Sequence, residues 1–229
     1  MTLCAIWREN NGVHFASDSR LTIAQNSYAD VGIKVLSLPY RIYSPRDSAG
    51  ARTLDVSGEL GMCFAGSAVS SLFVKEAVAE VLKELQYAPG FTNISMDGLA
   101  KLLFTAYRLI STEVCCTAIG SKGRAAIVIA GWCTEKHCVR TFLLETSSDN
   151  KHSNTEILTA PNQHQFIGSG KSKAMALLPP CPSSIDYLKA LKAVIDDTTE
   201  DSVGGSIQYG RFEGCEPPRD CRRHLILGE

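Results

Sequence analysis

A threonine stands at position 2, directly after the first methionine, and the run Thr2 to Trp7 begins a predicted strand. We expect Met1 to be removed, because the residue after it is small, and the threonine would then carry a free α-amine beside its hydroxyl. Such an amine, with an ordinary pKa of about 7.7–8.0, is a base near neutral pH. A threonine hydroxyl needs such a base to act as a nucleophile. Thr2 is therefore a candidate N-terminal nucleophile, although many chains begin Met-Thr without such a role.

Two charged residues follow at spacings that antiparallel hairpins could bring to the same place. Asp18 ends the second predicted strand, and Lys34 lies near the start of a later one, predicted at 33–38 after a polar stretch. An ammonium near the nucleophile lowers the pKa of its hydroxyl, and a carboxylate behind the ammonium keeps it charged and oriented. The three residues together therefore predict an activated threonine.

The residues around this set resemble the proteasome β-subunit family of N-terminal-nucleophile hydrolases. The family's pattern Gly-Val-x-x-Ala-x-Asp-x-Arg is present from Gly12 to Arg20, and the lysine follows Val31-Gly32-Ile33. The resemblance implies that Thr2 is the nucleophile and that Lys34, held by Asp18, stabilises its ionised form. Among bacterial homologues, the chain is most similar to the betaproteobacterial proteasome homologue type, with the ancestral β-subunit (Anbu) type second.

Further site residues are implied by the same resemblance. Phe64-Ala65-Gly66-Ser67-Ala68 is similar to the family's strand-to-helix turn, so Gly66 would be the oxyanion donor. The Gly168-Ser169-Gly170 run places Ser169 beside the nucleophile. The family's Asp-x-x-Ser-Gly-Gly is approximated from Asp201 to Gly205, where either a glycine replaces the serine or the register is displaced by one residue. Catalytic roles for Asp201 and Ser202 are expected on that basis.

A specificity pocket is also implied by the resemblance. Its lining would come from Leu21, Phe64 and Ala68, and these side chains would favour an apolar but restricted P1 residue.

The order of predicted elements is two blocks of strands separated by a pair of helices, with a further helix near 184–195. This order indicates an α+β protein with two sheets covered by helices. The resemblance supplies the arrangement, a four-layer αββα sandwich in a single domain of residues 1–229. Hairpin strands are predicted at 53–57 and 61–65, with a turn at Ser57-Gly58-Glu59, and Asp97 is predicted to cap the second helix.

The interval between Lys34 and Gly66 is longer than is usual in the family, so an insertion is expected at about residues 39–59. Its middle has the Pro, Gly, Ser and charged residues of a surface loop. Two interpretations are open: a loop that narrows access to the substrate cleft, or an extended hairpin on the outer rim with no effect on substrates.

Composition restricts the other functions. A net charge of −1 and the absence of a long apolar run argue against nucleic acid and membrane partners. The first fifteen residues do not read as a signal peptide, and the odd number of cysteines suits a reducing compartment, so we expect a cytoplasmic protein. Neither a metal nor an organic cofactor is implied. Gly168-Ser169-Gly170-Lys171-Ser172 does not make a nucleotide-binding loop, because Gln165 stands where the first glycine is needed.

The function expected from the resemblance is a threonine endopeptidase acting on peptides or unfolded proteins. It would work as a homo-oligomer of stacked double rings, with heptameric rings; an ATPase partner is left unknown. Two alternatives remain open: a small-amide acylase on the same fold, and a non-catalytic ring subunit that retains Met1.

Overall fold

The structure is a computed structural model that describes residues 2–10, 12–24, 27–87, 95–114, 118–213 and 224–227. Met1, whose removal is predicted, lies outside these ranges. The strands are β1 (Leu3–Glu9), β2 (Gly12–Asp18), β3 (Leu21–Ala24), β4 (Ser27–Ala29), β5 (Val35–Tyr43), β6 (Leu54–Gly66), β7 (Leu85–Gln86), β8 (Ala125–Cys133), β9 (Cys138–Thr146), β10 (His152–Ile157), β11 (His164–Gly168), β12 (Ile207–Glu213) and β13 (His224–Leu227). The helices are α1 (Ala68–Leu82), α2 (Met96–Glu113), α3 (Lys171–Ala176) and α4 (Ser184–Ile195).

Within the described ranges, the strands form two large sheets and a short ribbon. One sheet has the order β11-β1-β2-β12-β13 and the other has the order β10-β9-β8-β6-β5-β7, while β3 pairs with β4 alone. Neighbouring strands are antiparallel except β5 and β7, which are parallel. No helix in this part of the chain is long and apolar enough to span a membrane.

Three apolar layers show how the sheets and helices stack. Side chains that alternate along β1 belong to different layers: Leu3 and Trp7 pack against α4, whereas Cys4 and Ile6 face the second sheet. A third layer lies between the six-stranded sheet and helices α1 and α2. Because β1 is covered on both faces from Leu3 to Trp7, every residue of that stretch is apolar. The predicted α+β class and αββα sandwich are confirmed.

Several boundaries differ from the prediction. The predicted turn at Ser57-Gly58-Glu59 is wrong, because β6 runs unbroken through it and pairs with β5. Gly58 lies opposite Tyr40, and a Cβ there would come within 2.5 Å of the Tyr40 hydroxyl. The glycine therefore makes room for an aromatic ring across the strand. The cap of α2 is also different: Ser95 accepts the hydrogen bond from the Gly98 amide, and Asp97 lies in the first turn.

The predicted insertion is mostly a two-stranded extension. Strands β5 and β6 stay paired out to Tyr43 and Leu54, and only residues 44–53 form a loop. Arg52 of the loop forms an ion pair with Glu84, just after α1. At the end of β5, the Tyr43 carbonyl oxygen accepts a hydrogen bond from the Tyr87 amide, just after β7. At about 3.3 Å per residue, the hairpin carries this loop roughly 26 Å from Val35. This geometry favours the interpretation of an extended hairpin.

Candidate active site

Thr2 lies immediately before β1, and its main chain is held by the turn that follows β11. Leu3 pairs with Gly168, and the Ser169 amide donates a hydrogen bond of 2.9 Å to the Thr2 carbonyl oxygen. Gly168 has a φ of +96°, and a Cβ there would overlap that carbonyl oxygen. Position 168 therefore requires a glycine both for its backbone angle and for the closeness of Thr2. The backbone of Ser169 therefore lies beside Thr2, and a role for its side chain stays a prediction.

Asp18 ends β2 and is completely buried. Its Oδ1 accepts a hydrogen bond from the Leu3 amide and another from the Lys34 ammonium, each 3.0 Å long. Its Oδ2 accepts from the amides of Arg20 at 3.1 Å and Gly204 at 3.2 Å. Four donors therefore compensate for the loss of water around the carboxylate. The same oxygen that holds the lysine also holds the residue after Thr2.

Lys34 lies just before β5, and its side chain is as buried as that of Asp18. The ammonium donates to Asp18 and also to the Arg20 carbonyl oxygen at 2.5 Å. Burial lowers the pKa of Lys34 below its ordinary value, while the charge of Asp18 and its hydrogen bond raise it. The ammonium shares Asp18 Oδ1 with the amide of Leu3, the residue after the candidate nucleophile. A buried lysine with a lowered pKa in such a place is a candidate functional group.

Gly66 ends β6 with a φ of +95°, a conformation that glycine adopts without steric cost. Ser67 follows it as the N-cap of α1, so the predicted strand-to-helix turn is present. The neighbouring Ala65 side chain lies against Gly168. Since Gly168 also contacts Thr2, the turn with the predicted oxyanion glycine and the predicted nucleophile lie at the same end of the sandwich.

No family model and no curated protein matches the sequence significantly. Solved structures do match. Anbu from Yersinia bercovieri aligns with 98% of this chain and 86% of its own, with a TM-score of 0.62 and 15% identity. The Anbu complex from Pseudomonas aeruginosa, described as a helical assembly, aligns with 98% of this chain and 86% of its own, with a TM-score of 0.63 and 14% identity. Eukaryotic HslV from Trypanosoma brucei aligns with 93% of this chain and 99% of its own, with a TM-score of 0.51 and 14% identity.

The chain has the proteasome β-subunit fold. At these identities the likeness establishes the fold alone, and the fold agrees with the resemblance read from the sequence motifs. These matched structures are of the Anbu and HslV types. The greater similarity to the betaproteobacterial type therefore stays a prediction.

The predicted pocket residues occupy different environments in this proteasome β-subunit fold. Leu21 and Ala68 are half-buried, so they have surface to offer a substrate. Leu21 also packs directly on the backbone of Gly32, where a Cβ would overlap its side chain. Phe64 is 1% exposed and packs in the core beneath α1 and α2. Its main chain takes part in the site region instead, because its carbonyl oxygen accepts a hydrogen bond of 3.0 Å from the Cys4 thiol.

The loop before β12 reaches the site through its backbone. Asp201 is exposed, and its carbonyl oxygen accepts a hydrogen bond of 3.3 Å from the Arg20 guanidinium. Ser202 is half-buried, and within the described residues neither of these two side chains bonds to Thr2. The amide that reaches Asp18 belongs to Gly204. The structure thus brings the backbone of this loop to the site, and catalytic roles for the Asp201 and Ser202 side chains stay predictions.

One site residue was missed by the sequence analysis. Gln208, on β12, is 5% exposed. Its Oε1 accepts a hydrogen bond of 2.8 Å from the Lys34 amide, and its amide group donates to the Gly32 carbonyl oxygen. It therefore fixes the backbone just before β5 and aims Lys34 at Asp18. The sequence gives no signal for it, since a glutamine alternating with other residues in a strand is ordinary.

Proposed function

We propose that this chain is a threonine endopeptidase of the N-terminal-nucleophile class. The observation that carries the proposal is the buried Lys34–Asp18 pair, whose carboxylate also holds the amide next to Thr2. Burying two charges has a desolvation cost that apolar side chains of similar size would avoid. A site that needs a fixed ammonium beside a hydroxyl gives a reason to bear that cost.

The proposed reaction begins after Met1 has been removed. The Thr2 Oγ attacks a peptide carbonyl carbon, and the Thr2 amine accepts the hydroxyl proton and later delivers it to the leaving amine. This forms an ester with Thr2, which water hydrolyses with the same amine as the base. The Lys34 ammonium favours the ionised hydroxyl. The Gly66 amide would donate to the oxyanion, and Ser169, Asp201 and Ser202 would orient the amine.

We include a homo-oligomeric particle in the proposal, with stacked double rings of seven subunits that enclose the nucleophiles. Apolar side chains on the outer faces of α1 and α2 support it, because such helix faces are usually covered. Phe73 is 57% exposed and Leu109 is 59% exposed, and Val69, Leu72 and Val81 are also exposed. Native mass spectrometry at micromolar concentration tests this: a monomer alone would overturn the ring, and an open spiral would favour an Anbu-type assembly.

The substrates we propose are peptides or unfolded proteins of the cytoplasm, with a small apolar residue at P1. Leu21 and Ala68 would contact that residue. The acylase alternative differs in substrate but uses the same nucleophile, so substrate panels separate the two.

The deciding experiment starts with the intact mass of the purified chain, which tells whether Thr2 is the first residue. Turnover is then measured with a panel of fluorogenic peptides and simple acyl amides, and with an epoxyketone that reacts with a hydroxyl and amine together. Thr2→Ala and Lys34→Ala should each lose turnover by several orders of magnitude, while Lys101→Ala, at an exposed lysine of α2, should not. Turnover retained by Thr2→Ala would overturn the mechanism. A retained Met1 with no turnover would support a non-catalytic subunit.

A further inference from the structure

A short segment at the start of β8 holds the Gly66–Ser67 turn, and we call residues 123–125 the brace segment. Gly66 pairs with Ala125 in the sheet. The Ser67 amide donates a hydrogen bond of 2.9 Å to the Arg124 carbonyl oxygen. A Cβ on Gly66 would lie 2.6 Å from that same oxygen. The position of the predicted oxyanion glycine therefore depends directly on the position of the brace segment.

Two buried hydroxyls hold the brace segment by its carbonyl groups. Ser70, in the first turn of α1, donates from Oγ to the Gly123 carbonyl oxygen at 2.6 Å. Tyr107, in the middle of α2, donates from its hydroxyl to the Ala125 carbonyl oxygen at 2.5 Å. Both side chains have no exposed surface. The brace segment is thus fixed from both helices of the layer that covers the six-stranded sheet.

The Tyr107 hydroxyl is itself held in one orientation. Because a carbonyl oxygen can only accept, the hydroxyl donates its single proton to Ala125 and must accept from Thr146, whose Oγ1 lies 2.8 Å away. Thr146 Oγ1 in turn lies 2.9 Å from His152 Nδ1. A chain of hydrogen-bonded side chains therefore links His152 and Thr146 to the Tyr107 hydroxyl and, through it, to the carbonyl beside Gly66.

We propose that Tyr107 is a positioning residue for the oxyanion glycine, acting through the brace segment; the inference rests on the proposed function of this site. A phenylalanine would fill the same buried space, so a comparison of tyrosine with phenylalanine tests the hydroxyl alone. If the ring only packed, its loss would not matter. Its loss leaves the Ala125 carbonyl with one hydrogen bond fewer in a buried setting, which favours a shift of the brace segment. A small shift there moves the Gly66 amide relative to a reacting carbonyl.

Tyr107→Phe tests the proposal, with Ser111→Ala as the matched control. Ser111 lies one turn further along α2, is equally buried, and its hydroxyl makes no hydrogen bond within the described residues. The rate of hydrogen exchange at the Ser67 amide measures how firmly that amide is bonded to the brace segment. We expect Tyr107→Phe to speed that exchange about tenfold. We expect Ser111→Ala to change it by less than about twofold.

Kinetics supply the second readout. Tyr107→Phe should lower kcat about tenfold with KM unchanged, because a transition-state interaction is weakened and substrate binding is not. Ser70→Ala, which releases the other carbonyl of the brace segment, should have the same pattern and covers the case in which Tyr107→Phe fails to fold.

The outcomes separate this proposal from the proposed function. If the wild-type chain with a free Thr2 hydrolyses nothing, the proposed function fails. Hydrogen exchange at the Ser67 amide then decides alone whether the Tyr107 hydroxyl holds the brace segment in position. If the wild type is active but Ser67 exchange and kcat in Tyr107→Phe match those of Ser111→Ala, the positioning role is overturned. A change in KM alone would also overturn it.

Discussion

The Lys34 ammonium and the Asp18 carboxylate form an ion pair with 3.0 Å between Nζ and Oδ1, and neither side chain is exposed to solvent. The carboxylate oxygen that accepts from Lys34 also accepts from the Leu3 amide. The pair therefore connects the strand that begins at Thr2 with the strand that follows Lys34. Stability and activity should depend on the same two charges.

Removing one charge of this pair should destabilise the fold more than removing both. Asp18→Asn leaves an uncompensated buried ammonium and should lower the free energy of unfolding by about 3 kcal/mol, measured by urea denaturation. The double variant Asp18→Asn with Lys34→Met should recover part of that loss. Glu80→Gln, which breaks the exposed pair with Lys83, is the control and should change stability by less than about 0.5 kcal/mol. Equal losses at the buried and the exposed pair would contradict this.

The alkaline limit of activity should reflect Lys34. Burial lowers the pKa of Lys34 from its ordinary value of 10.5, and Asp18 opposes that shift. Activity that needs the ammonium is present below this pKa and is lost as pH rises through it. On the alkaline side, kcat/KM should therefore begin to decrease at a pH lower than 10.5. Asp18→Asn should move the limit to lower pH, because the raising influence is gone. If the alkaline limit of kcat/KM is the same in Asp18→Asn as in the wild type, a group other than Lys34 sets that limit.

Stability should follow the same titration with a definite sign. The lowered pKa means that the unfolded chain binds more protons at Lys34 than the folded chain does, between the folded pKa and 10.5. The free energy of unfolding of the wild type, taken relative to Lys34→Met, should therefore rise with pH in that window. Urea denaturation of both proteins across the window measures the difference between their free energies of unfolding. A difference that falls with pH would show that folding raises the pKa of Lys34.

The hairpin tip should be dispensable for short substrates. Residues 44–53 lie at the far end of β5 and β6 from Lys34 and Gly66, so replacing residues 44–51 with a Gly-Ser turn should leave kcat/KM for short peptides unchanged. The loss of exposed hydrogen bonds within the loop, such as those of Arg46 to Gly50 and of Ala51 to Asp47, should cost at most about 1 kcal/mol. Turnover of short and long peptides is compared in the intact assembly. Faster cleavage of long peptides by the shortened chain would support a gate formed by a neighbouring subunit.

The sequence was most informative where chemistry and local pattern coincide. The sequence predicts Thr2, Asp18 and Lys34 as site residues because each stands at or beside the end of a predicted strand and matches the family motif. Gln208 and Tyr107 were not found, because their partners are far along the chain: Gln208 bonds a residue 174 positions away. Gly58 was misread as a turn because the sequence does not show that Tyr40 lies across from it. Long-range pairing decides such cases.

Gly168 offers the sharpest test of how Thr2 is placed. Gly168→Ala would combine a positive φ of +96° with an overlap between the new Cβ and the Thr2 carbonyl oxygen. We expect it to lower the free energy of unfolding by about 3 kcal/mol or more and to abolish turnover, because Thr2 must move. Thermal unfolding and peptide turnover are the measurements.

The matched control is Gly50→Ala, at the tip of the β5–β6 hairpin. Gly50 has a φ of +79°, with no atom within 4 Å of a Cβ there. It therefore carries the backbone strain alone, and we expect a loss of about 1 kcal/mol with turnover intact. If the two alanine variants lose similar stability and both remain active, the close contact between Gly168 and Thr2 does not set the position of the nucleophile. A large loss confined to Gly168→Ala would show that the turn after β11 fixes Thr2 in its place.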